Sequence, residues 1–136
     1  MNNRINEQAI EKYLSSTGKT ISQNYVYAYV MPSDLDSFLI GELSVVNLEN
    51  FIIAFYENEI LLVPLTLNGD FDTNQQPIVI EKSIIDDIKI KKGLVQYKIN
   101  IITSKGSLKL NCTKKILSNP WQSNNIKNLE ANNWFR

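Results

Sequence analysis

At 136 residues the chain suits one domain with a core of its own, and an apolar share of 43% led by isoleucine favours strands. No apolar run reaches the roughly 18 residues needed to span a bilayer, and the lack of histidine removes the usual general base, proton shuttle and commonest metal ligand together. Fourteen bases balance fourteen acids, but unevenly along the chain: Val30 to Asp72 holds eight acids and no base, and Glu81 to Lys115 holds nine lysines against three acids, which predicts a polarised surface.

The polar start Met1-Asn2-Asn3-Arg4 is unlike a signal peptide, so the cytoplasm is the default compartment. Asn3 is placed to cap a helix with Ile5, Ala9, Ile10, Tyr13 and Leu14 on one stripe, ended by Ser15-Ser16-Thr17-Gly18. Tyr25–Met31 alternates large and small side chains and reads as a strand; Pro32-Ser33-Asp34 then turns the chain. Phe38–Val46 is a weaker strand, interrupted by Gly41. Phe51–Tyr56 and Ile60–Leu65 flank the short turn Glu57-Asn58-Glu59 and predict a hairpin buried on much of both faces, with Pro64 marking an edge. A polar loop follows over Leu67–Pro77, then an extended Ile78–Ile80 and a short turn at Ser83–Asp87.

The stretch to Cys112 carries the clearest two-residue period. Ile88 and Ile90 share one face of a strand, Val95, Tyr97, Ile99 and Ile101 one face of the next, and Leu108, Leu110 and Cys112 one face of a third. Gly93-Leu94 reads as a two-residue type II′ turn, with Gly93 supplying positive φ. That turn sets Ile90 opposite Tyr97, Ile88 opposite Ile99 and Lys89 opposite Lys98; the Thr103–Gly106 turn sets Ile101 opposite Leu108 and Ile99 opposite Leu110. Cys112, the lone cysteine, takes its place as a small core hydrophobe. Asn119-Pro120-Trp121 opens a last helix with Ile126, Leu129 and Trp134 on its apolar stripe.

The expected organisation is a single mainly β (α+β) domain over 1–136, with an N-terminal helix and turn in 1–20, antiparallel strands in 21–118 and a C-terminal helix in 119–136. Its element order, about seven antiparallel strands with a break between the fourth and fifth and a closing helix, resembles the pleckstrin-homology-like (PH-like) superfold, and more narrowly the bacterial PH-like domains. The resemblance rests on the hairpin Phe51–Leu65, on Ile84-Ile85-Asp86-Asp87-Ile88-Lys89-Ile90-Lys91-Lys92-Gly93 and on Ile99-Asn100-Ile101-Ile102-Thr103-Ser104-Lys105-Gly106. It implies an antiparallel PH-like barrel. It does not imply one function, because this superfold hosts lipid binding, peptide binding and scaffolding. Phosphoinositide-binding members use basic residues between the first two strands, whereas Pro32-Ser33-Asp34-Leu35-Asp36-Ser37 carries two acids and no base, which argues against that route.

Other motifs favour plain readings. Gly18-Lys19-Thr20 ends like a phosphate-binding loop but has Tyr13 where the first glycine belongs. Asp70, Asp72, Asn74 and Glu81 have calcium-loop spacing but Gln75 at the sharp-turn glycine position. The acid pairs Asp34/Asp36, Glu57/Glu59 and Asp86/Asp87 sit at predicted turns without a nucleophile. Tyr25, Tyr27 and Tyr29 share a face, but near-neutral charge and few arginines argue against nucleic acid. No catalytic, cofactor or metal residue is therefore assigned. The candidate partner-binding residues are Lys89, Lys91, Lys98 and Lys109 on the solvent face, which suit an anionic partner: an acidic protein, a second copy or a membrane. The function expected is a non-enzymatic binding or scaffolding module working by protein contact, self-association included. The alternative is a small-molecule or anionic-lipid carrier with a pocket at the barrel end.

Overall fold

The computed structural model describes residues 7–18, 24–29, 39–40, 43–44, 50–66, 71, 77–104, 106–114 and 120–132. Seven strands form one antiparallel sheet: β1 (Tyr25–Tyr29), β4 (Asn50–Phe55), β5 (Glu59–Leu65), β6 (Ile78–Glu81), β7 (Ile85–Lys92), β8 (Gln96–Thr103) and β9 (Gly106–Thr113). A two-stranded ribbon, β2 (Leu39–Ile40) and β3 (Leu43–Ser44), lies between β1 and β4 in the chain, and the helices are α1 (Glu7–Ser16) and α2 (Trp121–Ala131). The sheet order is β6-β5-β4-β1-β9-β8-β7, two meanders of four and three strands joined through β1 and β9. The sequence break between them falls at β6–β7, whose connection is a 3₁₀ turn over Lys82–Ile84, and these two strands are the sheet's ends. The fold is mainly β with a helix at each end of the chain, consistent with a PH-like barrel-type arrangement whose sheet is not closed.

One face of each strand of the seven-stranded sheet points to a shared interior. Val26, Ala28, Phe51, Ile53, Phe55, Ile60, Leu62, Ile78 and Ile80 from the first meander meet Tyr97, Ile99, Ile101, Leu108, Leu110 and Cys112 from the second, with Ile126 and Leu129 of α2 packed into the same cluster. The predicted strand phase therefore holds, and the interior is filled by these side chains. The opposite face of β1, β4 and β5 is also apolar, and Ile10 and Leu14 of α1 cover it together with Trp121. That is why Phe51–Leu65 carries continuous apolar runs rather than an alternation. Helix α1 stops where Gly18 turns left-handed at φ 78°, with Thr17 and Gly18 amides donating to Leu14 and Ser15 carbonyls. Its predicted cap Asn3 and Ile5 lie outside the described residues. Pro64 sits beyond the last residue of β5 that pairs with β6, where a missing N–H disrupts nothing on that side.

Three local expectations need correction. Phe38–Val46 is not one strand: Ile40 pairs with Leu43 and Leu39 with Ser44, so the run doubles back. Ser83–Asp87 is not a turn beyond Ile84, since β7 begins at Ile85 and a bulge between Ile85 and Asp87 absorbs the extra residue. The β7–β8 hairpin is longer than a two-residue turn allows. Lys92 pairs with Tyr97, Ile90 with Ile99 and Ile88 with Ile101. The slip is two residues, so the paired side chains stay on their predicted faces and the apolar pattern cannot detect it, but Val95, expected on the apolar face of this strand, falls outside β8 and is exposed. The β8–β9 pairings Ile99↔Leu110 and Ile101↔Leu108 are as expected.

Gly93 does not adopt positive φ, but it is required for another reason. Its N–H donates to the Gln96 carbonyl at 2.8 Å, and a Cβ there would lie 2.6 Å from that same oxygen. Gly93→Val is expected to open the hairpin tip at a cost of about 1–3 kcal/mol, the range for forced overpacking. A lowered urea midpoint with unchanged slope checks it; a wild-type midpoint would contradict the close approach.

Helix α2 fills a gap in the sheet. Among the described residues, strands β1 and β9 meet at the single pair Tyr29↔Asn111 and diverge toward Tyr25. Gln122, fully buried, inserts its carboxamide there as a substitute peptide group. Its Oε1 accepts from the Tyr27 amide at 2.9 Å, and its Nε2 donates to the carbonyls of Tyr27 at 2.9 Å and Thr113 at 3.0 Å. Asn125, also fully buried, donates to the Tyr25 carbonyl at 2.9 Å. At the other end of the helix the Tyr97 hydroxyl donates to Glu130 at 2.6 Å, and Lys92 pairs with Glu130 at 3.2 Å. The Tyr97 bond, helped by Lys92, holds the Glu130 carboxyl below its ordinary value, while burial and that same carboxylate push Tyr97 up to about 12.

Candidate functional site: a lysine-lined groove

The outer face of β1, β4 and β5 lies under α1, whereas the outer face of β7, β8 and β9 is polar and open to solvent. Strand alternation places Lys89 and Lys91, Lys98 and Asn100, and Lys109 and Asn111 on that face. The observed register arranges them in two rows. One runs Lys89, Asn100, Lys109 across β7, β8 and β9; the other runs Lys91, Lys98, Asn111 and on to Tyr29 of β1. Lys98 thus faces Lys91, not Lys89 as the shorter turn implied. With strands about 4.8 Å apart, Lys89 and Lys109 start from backbones about 10 Å apart with only an asparagine between them.

All four candidate lysines line one groove of about 600 Å³, together with Tyr29, Gln96, Asn100 and Asn111. Its floor is fixed by amides and a phenol. Tyr29 donates its hydroxyl to Gln96 Oε1 at 3.0 Å, Gln96 Nε2 reaches Asn111 Oδ1 at 3.5 Å, and Asn111 is 8% exposed. The Asn100 Oδ1 is buried with no hydrogen-bond partner. The lysine heads are exposed, and among the described residues none of the four pairs with an acid. Placing like charges opposite one another across a ladder is mildly unfavourable, so this face gives up a little stability for its charge. Chemically the groove offers four ammonium donors over an amide floor, an arrangement that attracts carboxylates or phosphates.

Of the remaining sequence candidates among the described residues, only Tyr29 reaches this groove. Tyr25 packs against Trp121 at 5.4 Å and donates its hydroxyl to Glu11 at 3.1 Å, and Tyr27 donates to Asn50 at 2.6 Å. Two of the three tyrosines are therefore packing residues with satisfied hydroxyls, and Tyr29 alone borders the groove. Asp86 and Asp87 lie in β7, and Glu57 and Glu59 at the β4–β5 turn. Lys19, Thr20, the Asp34/Asp36 pair and Asp70, Asp72 and Asn74 lie outside the described residues, as do Glu42 and Glu49 of the acidic half of the chain. Sequence reasoning missed Gln96, Asn100, Asn111 and Tyr29 as groove residues; their common phase with the lysines was the available signal. No protein-family model matches the chain, and no match is found among curated proteins or solved structures.

Proposed function

We propose that the chain is a non-enzymatic binding module of the PH-like class that holds an acidic protein segment in the lysine groove. One observation carries this reading: four lysines from three adjacent strands, none neutralised by an acid among the described residues, converge on one concave surface. The lining residues cross β7, β8 and β9 to Tyr29 of β1, which suits an extended acidic segment laid over these strands. An acidic stretch of a second copy would satisfy the same chemistry, which includes self-association in the reading. A carrier with a barrel-end pocket has less support, because side chains fill the space between the two meanders.

A labelled oligo-glutamate peptide followed by fluorescence anisotropy tests the proposal. Wild type is expected to bind it at low salt and to release it as the Debye length falls from about 10 Å at 0.1 M to about 3 Å at 1 M. Reversing Lys91 and Lys98 to glutamate is expected to weaken binding by about tenfold or more, at roughly 1 kcal/mol for each exposed charge contact, without lowering the melting temperature. Equal affinity in wild type and the double variant would remove the groove from the account.

A further inference from the structure

The tip of the β7–β8 hairpin carries two adjacent apolar side chains directed into water. Leu94 is 95% exposed and Val95 is 68% exposed, in a chain whose other large apolar side chains, among the described residues, are at most 43% exposed. Single exposed apolar residues are ordinary, but a protruding pair ringed by cations is not. Lys91 and Lys98 lie just behind the tip on the outer face. On the other face Lys92 reaches Glu130 at 3.2 Å and Lys114 lies 5.0 Å over the Tyr97 ring. The Lys114 amide donates to the Val95 carbonyl at 3.0 Å, so the end of β9 runs beside the tip, and Lys115 follows it in sequence. The hairpin is graded along its length: Asp86 and Asp87 at the base, lysines toward the end, and the apolar pair at the extremity. From Asp87 to Lys92 is about 17 Å at strand rise.

We infer that this hairpin is a docking wedge for an anionic bilayer surface, with Leu94 and Val95 entering the interface while Lys91, Lys92, Lys98 and Lys114 contact acidic headgroups. Two features select a bilayer over a protein. The apolar pair is convex and narrow, so it fits a deformable surface, and the cations flank it on both faces of the hairpin, as an end-on approach to a planar anionic surface requires. At the tip, the Gly93 N–H donates to the Gln96 carbonyl, and the Val95 carbonyl accepts from the Lys114 amide. The wedge goes beyond the groove reading and rests on the tip residues Leu94 and Val95, so either can fail without the other.

The test is co-sedimentation of the full chain with equimolar phosphatidylcholine and phosphatidylserine vesicles, beside vesicles of phosphatidylcholine alone. Binding is expected to the mixed vesicles only, and to persist when inorganic phosphate replaces chloride at constant ionic strength. Replacing Leu94→Asn and Val95→Asn together is expected to weaken partitioning about tenfold, because small apolar anchors contribute by their buried area, and to leave oligo-glutamate binding and melting temperature unchanged. Absence of binding to mixed vesicles, equal binding by the Asn variant, or release by phosphate would each overturn the wedge. The last would assign these cations to soluble phosphate.

Discussion

Ile99→Asp is expected to unfold the domain, while Lys98→Asp, one residue away, leaves its melting temperature within a few degrees of wild type. Ile99 is 1% exposed in the interior cluster, between Ile90 on β7 and Leu110 on β9, and no cation faces that position. An unpaired charge buried there costs about 3–5 kcal/mol, a large share of the roughly 5–15 kcal/mol by which a domain is stable. Lys98 points the other way, into solvent, opposite Lys91. Its replacement by Asp turns an opposed pair of like charges into an attractive one. Thermal melts followed by circular dichroism separate the two. Equal, mild effects would mean that the strand phase is wrong.

The second large effect is at Gln122. Gln122→Leu preserves approximate size and helix propensity but leaves the Tyr27 N–H and the carbonyls of Tyr27 and Thr113 without their partner, where the fully buried Gln122 side chain had covered them. Each orphaned buried group costs about 1–3 kcal/mol, so the substitution is expected to approach Ile99→Asp in severity. Asn124→Leu, on the exposed face of the same helix, is the control and is expected to change stability little. Amide exchange gives a sharper readout than melting: the Tyr27 amide should lose protection in Gln122→Leu more than the Ile53 amide on the neighbouring strand. Unchanged protection at Tyr27 would mean that the helix does not substitute for a strand there.

The parts of the fold legible in the sequence were those governed by period. Isoleucines on alternate residues from Ile88 to Ile101 assigned their own faces, and the doubly apolar runs Phe51–Phe55 and Ile60–Leu65 announced a hairpin covered on both sides. The lysines followed from the same alternation, which is why all four candidates reached one groove despite a wrong register. What stayed hidden was information that period does not carry. A slip of two residues keeps the paired side chains on their faces, so only the Lys92–Tyr97 pairing and the Gly93 N–H bond to the Gln96 carbonyl reveal the wider tip. Gln122 and Asn125 stand four residues before Ile126 and Leu129 on the same helix face, but nothing local says that β1 and β9 part from Tyr29 toward Tyr25 and leave backbone groups for them to satisfy. For the same reason Gln96 and Asn111 passed as loop and strand polars rather than as the floor of a site.

If the β7–β8–β9 outer face holds an acidic segment as proposed, an amide chemical-shift map of the isotopically labelled chain titrated with oligo-glutamate at low salt locates it. The shifted amides are expected to cluster at Lys89, Lys91, Lys98, Asn100, Lys109 and Asn111, with Tyr29 at the border and the α1 amides unmoved. Shifts concentrated on α1 or spread evenly over the surface, or no shifts at all, would contradict it.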